Sequence, residues 1–115
     1  MRMLIAVIQP TKLSAVREAL NKIGVTRMTV CDGQGYARQR GQSATYRGHE
    51  YQTNLLRKIA LEIVVNEDFL ERTVETITNM ARTGPEGTIG DGKIFVLPCD
   101  EAIEIGPLLR GPEAV

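Results

Sequence analysis

Ile59, Leu61, Ile63 and Val65 occupy every second position of one short segment, with Ala60, Glu62 and Val64 between them. Side chains of a strand alternate between the two faces of a sheet, so this spacing predicts a strand with one face committed to a core. Helical patterns flank it on both sides. Leu13, Val16, Leu20 and Ile23 recur at helical spacing and predict an amphipathic helix entered near Thr11 and stopped by Gly24. Leu70, Val74, Ile77 and Ala81 mark one face of a second helix that ends at Thr83-Gly84. Asn66 is placed as its N-cap, and Glu67 and Asp68 suit the positive end of its dipole.

Three further apolar runs complete the pattern. Met3 to Ile8, closed by Pro10, and Ile94 to Leu97, followed by Pro98, predict buried strands, and Met28 to Cys31 predicts another. Asp32-Gly33-Gln34-Gly35 breaks regularity, and from there to about Leu56 no period holds. The order is strand, helix, strand, long loop, strand, helix, glycine loop, strand. Such an order predicts an α+β, ferredoxin-like (split β-α-β) fold, an antiparallel sheet with both helices on one face. The other face then meets solvent, nucleic acid or another subunit. Thr29 and Cys31, with Ala60, Glu62 and Val64, make that face mixed and partly apolar, which suits a subunit contact.

At 115 residues the chain reads as a single domain, 1–115. Fourteen basic residues balance fourteen acidic ones, so no global field draws it to nucleic acid or an anionic membrane. Locally the balance breaks. Arg38, Arg40, Arg47, Arg57 and Lys58 face only Glu50 in the middle of the chain, whereas the tail 99–115 holds Asp100, Glu101, Glu104 and Glu113 against Arg110. Cys31 and Cys99 show no metal spacing and read as reduced thiols beside apolar stretches. No segment approaches the roughly 20 apolar residues that span a bilayer, and Gln9-Pro10 ends the first apolar run early. A cytoplasmic protein with no membrane insertion is expected.

Two stretches carry the functional signal. The run 36–57 is far longer than an ordinary hairpin connection, and its Tyr36, Tyr46 and Tyr51 with the arginines suit a recognition arm; a disordered insertion is the alternative. The run 83–93, Thr83-Gly84-Pro85-Glu86-Gly87-Thr88-Ile89-Gly90-Asp91-Gly92-Lys93, suits a phosphate cradle, with converging backbone N–H groups and a lysine at the exit. Gly87 to Lys93 matches G-x-x-x-x-G-K, but Ile94 replaces the Mg²⁺-binding Ser/Thr and a strand follows, so this is not a Walker A motif. A plain helix-to-strand connection remains the bland reading of the same glycines.

Gly35-Tyr36-Ala37-Arg38-Gln39-Arg40-Gly41, Tyr46-Arg47-Gly48-His49-Glu50-Tyr51, Lys58, Ala81-Arg82-Thr83-Gly84 and Ile89-Gly90-Asp91-Gly92-Lys93-Ile94-Phe95-Val96 together closely resemble the PII nitrogen-regulatory signalling proteins. The likeness runs from the first strand to about Ile105. It implies a homotrimer whose sheets line a barrel, with ATP or ADP bound between neighbours. It also implies 2-oxoglutarate joining Mg-ATP at the base of the long loop, and that loop engaging a transporter or metabolic enzyme of nitrogen or related carbon metabolism. By position, Gly90, Asp91, Gly92 and Lys93 form the phosphate loop, with Thr29, Gly35 and Thr83 near the nucleotide. Gln39 holds Mg²⁺ and, with Gly41 and Lys58, the 2-oxoglutarate; Tyr51 matches a tyrosine that is uridylylated in some members.

The chain departs from that pattern in five places. Ala37 replaces a usual glycine, and Pro85-Glu86-Gly87-Thr88 stands where the family has a single residue. Glu104 and Gly106 fall where its phosphate-binding arginines stand, and His49 falls at the position of a serine phosphorylated in some relatives. Weakened ATP binding or an altered nucleotide preference is expected, with Arg82 or Arg110 as compensating charges. Two other function classes find less support in the residues. A single-stranded RNA-binding domain of RRM-like topology needs aromatics on the central strands, where only Phe95 is offered. An enzyme needs an acid-base or nucleophile constellation, and with one His and no paired carboxylates no catalytic residue is assigned.

Overall fold

The computed structural model describes residues 1–40 and 51–115, and the side chains of 1–35 and 56–115. In chain order the elements are β1 (Arg2–Ile8), α1 (Leu13–Lys22), β2 (Thr29–Arg40), β3 (Tyr51–Val65), α2 (Glu67–Ala81) and β4 (Gly92–Pro98). A 3-10 turn, Pro10–Lys12, leads into α1, and another, Gly111–Ala114, lies in the tail. The sheet runs β2-β3-β1-β4 with every neighbouring pair antiparallel. This is the ferredoxin-like arrangement that the order of elements implies.

The period-two segment of β3 sets the core. Leu4, Ala6 and Ile8 of β1 lie across from Ile63, Leu61 and Ile59, so the inward residues of both strands share one face. All six are buried, and Val16 and Leu20 of α1 and Ile77 and Ala81 of α2 close over them in one cluster. Leu13, Ile23, Leu70 and Val74 pack at its margin. Both helices therefore cover the same side of the sheet. Thr73 is also fully buried, which the apolar pattern of α2 does not reveal. Its hydroxyl donates to the Phe69 carbonyl at 2.7 Å, so a polar side chain enters the core without an unsatisfied group. Asn66 does occupy the N-cap of α2, but with its backbone: Phe69 N–H donates to its carbonyl at 2.9 Å, and its side chain makes no capping bond.

Two expectations about strands are corrected. Asp32 to Gly35 does not interrupt β2; the ladder with β3 runs from Thr29 opposite Glu62 to Arg40 opposite Tyr51. Turn-forming composition yields there to a continuous row of cross-strand partners, because β-propensity is weak beside its context. Much of the expected loop 36–57 is thus strand, and the connecting residues 41–50, with Gly41, Tyr46 and His49, lie outside the described residues. The second correction concerns β4, which is an edge strand rather than a buried one. Phe95 is 51 % exposed, and Val96 and Leu97 are each 41 % exposed.

Beyond the helices, the second sheet face presents Met3, Ile5 and Val7 of β1 with Phe95 and Leu97 of β4 and Ala60 and Val64 of β3. None of these is fully buried, so an apolar surface stands open on the side that the helices leave free. Phe95 is its sole aromatic among the described side chains, which leaves no platform for stacking bases. Cys31 and Cys99 are free thiols. Cys31 Sγ donates to Glu62 Oε1 at 3.3 Å, and that hydrogen bond raises the pKa of the thiol and keeps it protonated. Among the described residues, no helix is long and apolar enough to cross a membrane.

Truncating the centre of the buried face tests this account. Leu61→Ala is expected to destabilise the protein by about 2–5 kcal/mol, read from the midpoint of urea denaturation, whereas the same change at exposed Ile105 should cost under about 0.5 kcal/mol.

Candidate functional site: the glycine loop and its cleft

Between α2 and β4 the chain folds into a turn braced by one carboxylate. Asp91 Oδ2 accepts from the backbone N–H of Thr83 at 3.0 Å and of Thr88 at 2.8 Å, and Asp91 Oδ1 accepts from the Thr88 hydroxyl at 3.1 Å. The N–H of Asp91 returns to the Thr88 carbonyl at 3.2 Å. Donation by the Thr83 and Thr88 amides holds the Asp91 carboxyl well below the usual carboxylate range. Asp91 is therefore a brace of the loop rather than a side chain free to contact a ligand.

Gly92 joins this loop to the sheet. It pairs with Ile8 at the start of β4, with φ +129, and a Cβ there would overlap the Val7 carbonyl. Only glycine permits that approach. Lys93 follows directly, opposite Val7, so the loop's lysine is anchored in β4 rather than carried on the turn. Arg82, at the end of α2, lies against Gly87, whose hypothetical Cβ would sit 3.2 Å from Arg82 Cγ.

These elements enclose a cleft of about 570 Å³. Its floor includes Ile8, Ile77 and Ile94, and its rim carries Arg82, Glu86 and Lys93. An apolar floor bordered by charged side chains of both signs can seat a ligand with an apolar part and a polar part. Lys58 reaches the same loop from β3: its Nζ donates to the Gly90 carbonyl at 3.0 Å. Gln9 Nε2 donates to that carbonyl at 3.2 Å. The base of the β2–β3 ribbon is thus tied directly to the glycine loop.

The structure brings Thr83, Gly90, Asp91, Gly92 and Lys93 together, as their closeness in sequence suggests, and adds Lys58 from β3, which the family resemblance alone had grouped with them. Gly35 lies nearby, within 3.7 Å of Lys58 Cγ when a Cβ is placed on it. Thr29 does not join them. It lies in a separate cleft of about 490 Å³ with Arg27, Glu62, Val64 and Val115. Gln39 and Tyr51 fall in the paired backbone of β2 and β3, with side chains outside the described residues, and Gly41 lies wholly outside them. Of the two compensating charges, Arg82 lines the cleft, while Arg110 is bound through Nε to Glu101 in the tail. Glu104 is held in a tail hairpin, its N–H donating to the Leu109 carbonyl at 2.8 Å. Sequence reasoning missed Gln9 and Glu86; no local signal marks Gln9, whereas Glu86 was visible as a charge inserted into the glycine run.

The fold and loop define a small ferredoxin-like domain with a braced glycine turn beside a cleft, and comparison with known proteins makes the class explicit. The family model described as nitrogen regulatory protein P-II matches residues 1–107. Nitrogen regulatory protein GlnK1 of Methanosarcina mazei is 48% identical over 115 residues, covering 100% of this chain and 97% of that protein. Nitrogen regulatory protein P-II of Rhodospirillum rubrum is 43% identical over 115 residues, covering 100% of both. The solved structure of GlnK from B. subtilis superposes with a TM-score of 0.79 at 32% identity, covering 99% of this chain and 97% of that one. The chain belongs to the nitrogen regulatory protein P-II family, whose members are signalling regulators rather than enzymes.

Two measurements check the loop. Gly92→Ala should cost roughly 3 kcal/mol or more in chemical denaturation, because strain at positive φ adds to the overlap with Val7. Gly90→Ala, with φ +100 but open space around it, should cost about half as much. The pH dependence follows from Asp91. Its pKa is lowered in the folded state, so its bracing is complete above the unfolded value of about 4 and is lost as pH falls through the lower folded value. In an NMR titration the Thr83 and Thr88 amide signals should hold their positions through pH 4 and move only in stronger acid; Asp91→Asn should abolish that transition.

Proposed function

We propose that this protein is a trimeric signal transducer that binds an adenine nucleotide, ATP or ADP, in clefts completed between neighbouring copies. In this reading 2-oxoglutarate and Mg²⁺ join the nucleotide at the base of the β2–β3 ribbon. The ribbon then engages or releases a transporter or metabolic enzyme of nitrogen or related carbon metabolism. The observation that carries the reading is the separation of Thr29 from Lys93 within one chain. The two residues occupy different clefts, and the sheet between those clefts presents an open apolar face. Packing that face against other copies gives a cleft half of one chain access to the complementary half of the next.

The chemistry of the loop agrees with a phosphate ligand. Lys93 supplies a point charge fixed on a strand, Arg82 a second cation, and the apolar floor accommodates a base. Mg²⁺ through Gln39, and a carboxylate of 2-oxoglutarate paired with Lys58, fit the donor and acceptor types present there. The bond from Lys58 to the Gly90 carbonyl links effector and nucleotide positions through one contact. A ligand carboxylate that draws Lys58 away alters the loop and the ribbon together, which is what a switch requires.

Light scattering on the purified protein should give a mass three times that of the chain, and calorimetry should show adenine nucleotide binding that Lys93→Ala weakens by about tenfold or more. Lys58→Gln should leave nucleotide affinity within about threefold and remove the further heat produced by 2-oxoglutarate. A monomer that ignores every adenine nucleotide overturns the proposal.

A further inference from the structure

We propose that Gln9 is the positioning residue that lets Lys58 change partners, and that it thereby sets how strongly the effector and nucleotide positions are coupled. This inference rests on the reading of Lys58 and the glycine loop given above, and it adds the residue that regulates their exchange. Two donors meet at one acceptor: Lys58 Nζ at 3.0 Å and Gln9 Nε2 at 3.2 Å both donate to the Gly90 carbonyl. They come from neighbouring strands, Lys58 from β3 and Gln9 from just beyond the end of β1. Their chemistry differs. An ammonium on a flexible stem is drawn to a ligand carboxylate, whereas a neutral amide gains no charge pairing from one.

The shared acceptor sits at the most pliable joint of the loop. The Gly90 carbonyl and the Asp91 N–H belong to one peptide unit, and that N–H donates to the Thr88 carbonyl at 3.2 Å. Gly90 has φ +100 with open space around it, so sterics do not fix this unit, and the hydrogen bonds at its two ends do. Gln9 itself stands on a fixed base. Ile8 before it pairs with both Ile59 and Gly92, Pro10 after it restricts its backbone to the extended region, and its carbonyl accepts from the Lys12 N–H at 3.0 Å. When Lys58 turns to a ligand carboxylate, the Gly90 carbonyl loses one donor of two and the peptide keeps its orientation. Without Gln9 the same movement releases it.

Calorimetry with Mg-ATP, with and without 2-oxoglutarate, tests the assignment on the unmodified protein, Gln9→Met, Lys58→Met and the double variant, methionine being unable to donate. Without 2-oxoglutarate the loss of nucleotide affinity in the double variant should exceed the product of the two single losses by about fivefold, because each donor covers for the other. The factor by which 2-oxoglutarate changes nucleotide affinity should fall about fivefold in Gln9→Met. Hydrogen exchange at the Asp91 amide reads the same peptide unit with Mg-ATP bound. Adding 2-oxoglutarate should speed that exchange about fivefold in Gln9→Met and by less than about twofold in the unmodified protein. Thermal melts matching the unmodified protein establish that the variants are folded, and should the double variant melt early, the Gln9→Met measurements decide alone. Single losses that simply multiply, or a coupling factor and an Asp91 exchange rate unmoved in Gln9→Met, overturn the inference while leaving the binding of both ligands intact. Failure of the unmodified protein to bind Mg-ATP, or to respond to 2-oxoglutarate once Mg-ATP is bound, overturns the reading of Lys58 and this inference with it.

Discussion

The contact between Gly92 and the Val7 carbonyl governs how the rest of this molecule is arranged. At that point β4 leaves the glycine loop and enters the sheet beside β1, closer than any side chain permits. The register set there places Lys93 opposite Val7, Phe95 opposite Ile5 and Leu97 opposite Met3. The same register that fixes the loop's cation therefore decides which apolar residues of β4 face away from the helices. The anchored lysine of the glycine turn and an open apolar surface are two consequences of one strand pairing.

Asp91 serves that arrangement from the other side. A turn containing several glycines has many accessible conformations, and ordering it carries a high entropic cost. Three hydrogen bonds to one carboxylate fix Thr83 and Thr88 relative to the strand, which brings Arg82 at the end of α2 close to Lys93 at the start of β4. Lys58 and Gln9 converge on the Gly90 carbonyl and bind the turn to the neighbouring strands. Such bracing leaves the turn already ordered, so little conformational entropy remains to be lost there.

Much of this was legible in the residues. Period-two spacing identified the Ile59–Val65 strand and its buried face, because a sheet with helices on one side demands alternation. Helical spacing located α1 and α2 to within a residue or two, since Val16, Leu20 and Ile77 must meet the same sheet. Asp32 to Gly35 misled, because local composition reports turn tendency and not the presence of a partner strand. Thr73 was invisible for the opposite reason: its polar side chain is satisfied by its own helix. In the site, the motif residues Gly90 to Lys93 stood out, whereas Gln9, distant in sequence, carried no signal.

By itself the sequence determined the element order, the helix-covered core and the family, because spacing and motif order are local properties of the chain. The separation of Thr29 from Lys93 into different clefts, the pairing of Arg110 with Glu101, and the seating of Glu86 on the rim beside Arg82 were decided only by tertiary structure. Each depends on where distant segments meet, and a residue's chemical type does not reveal which opposing charge lies within reach of it.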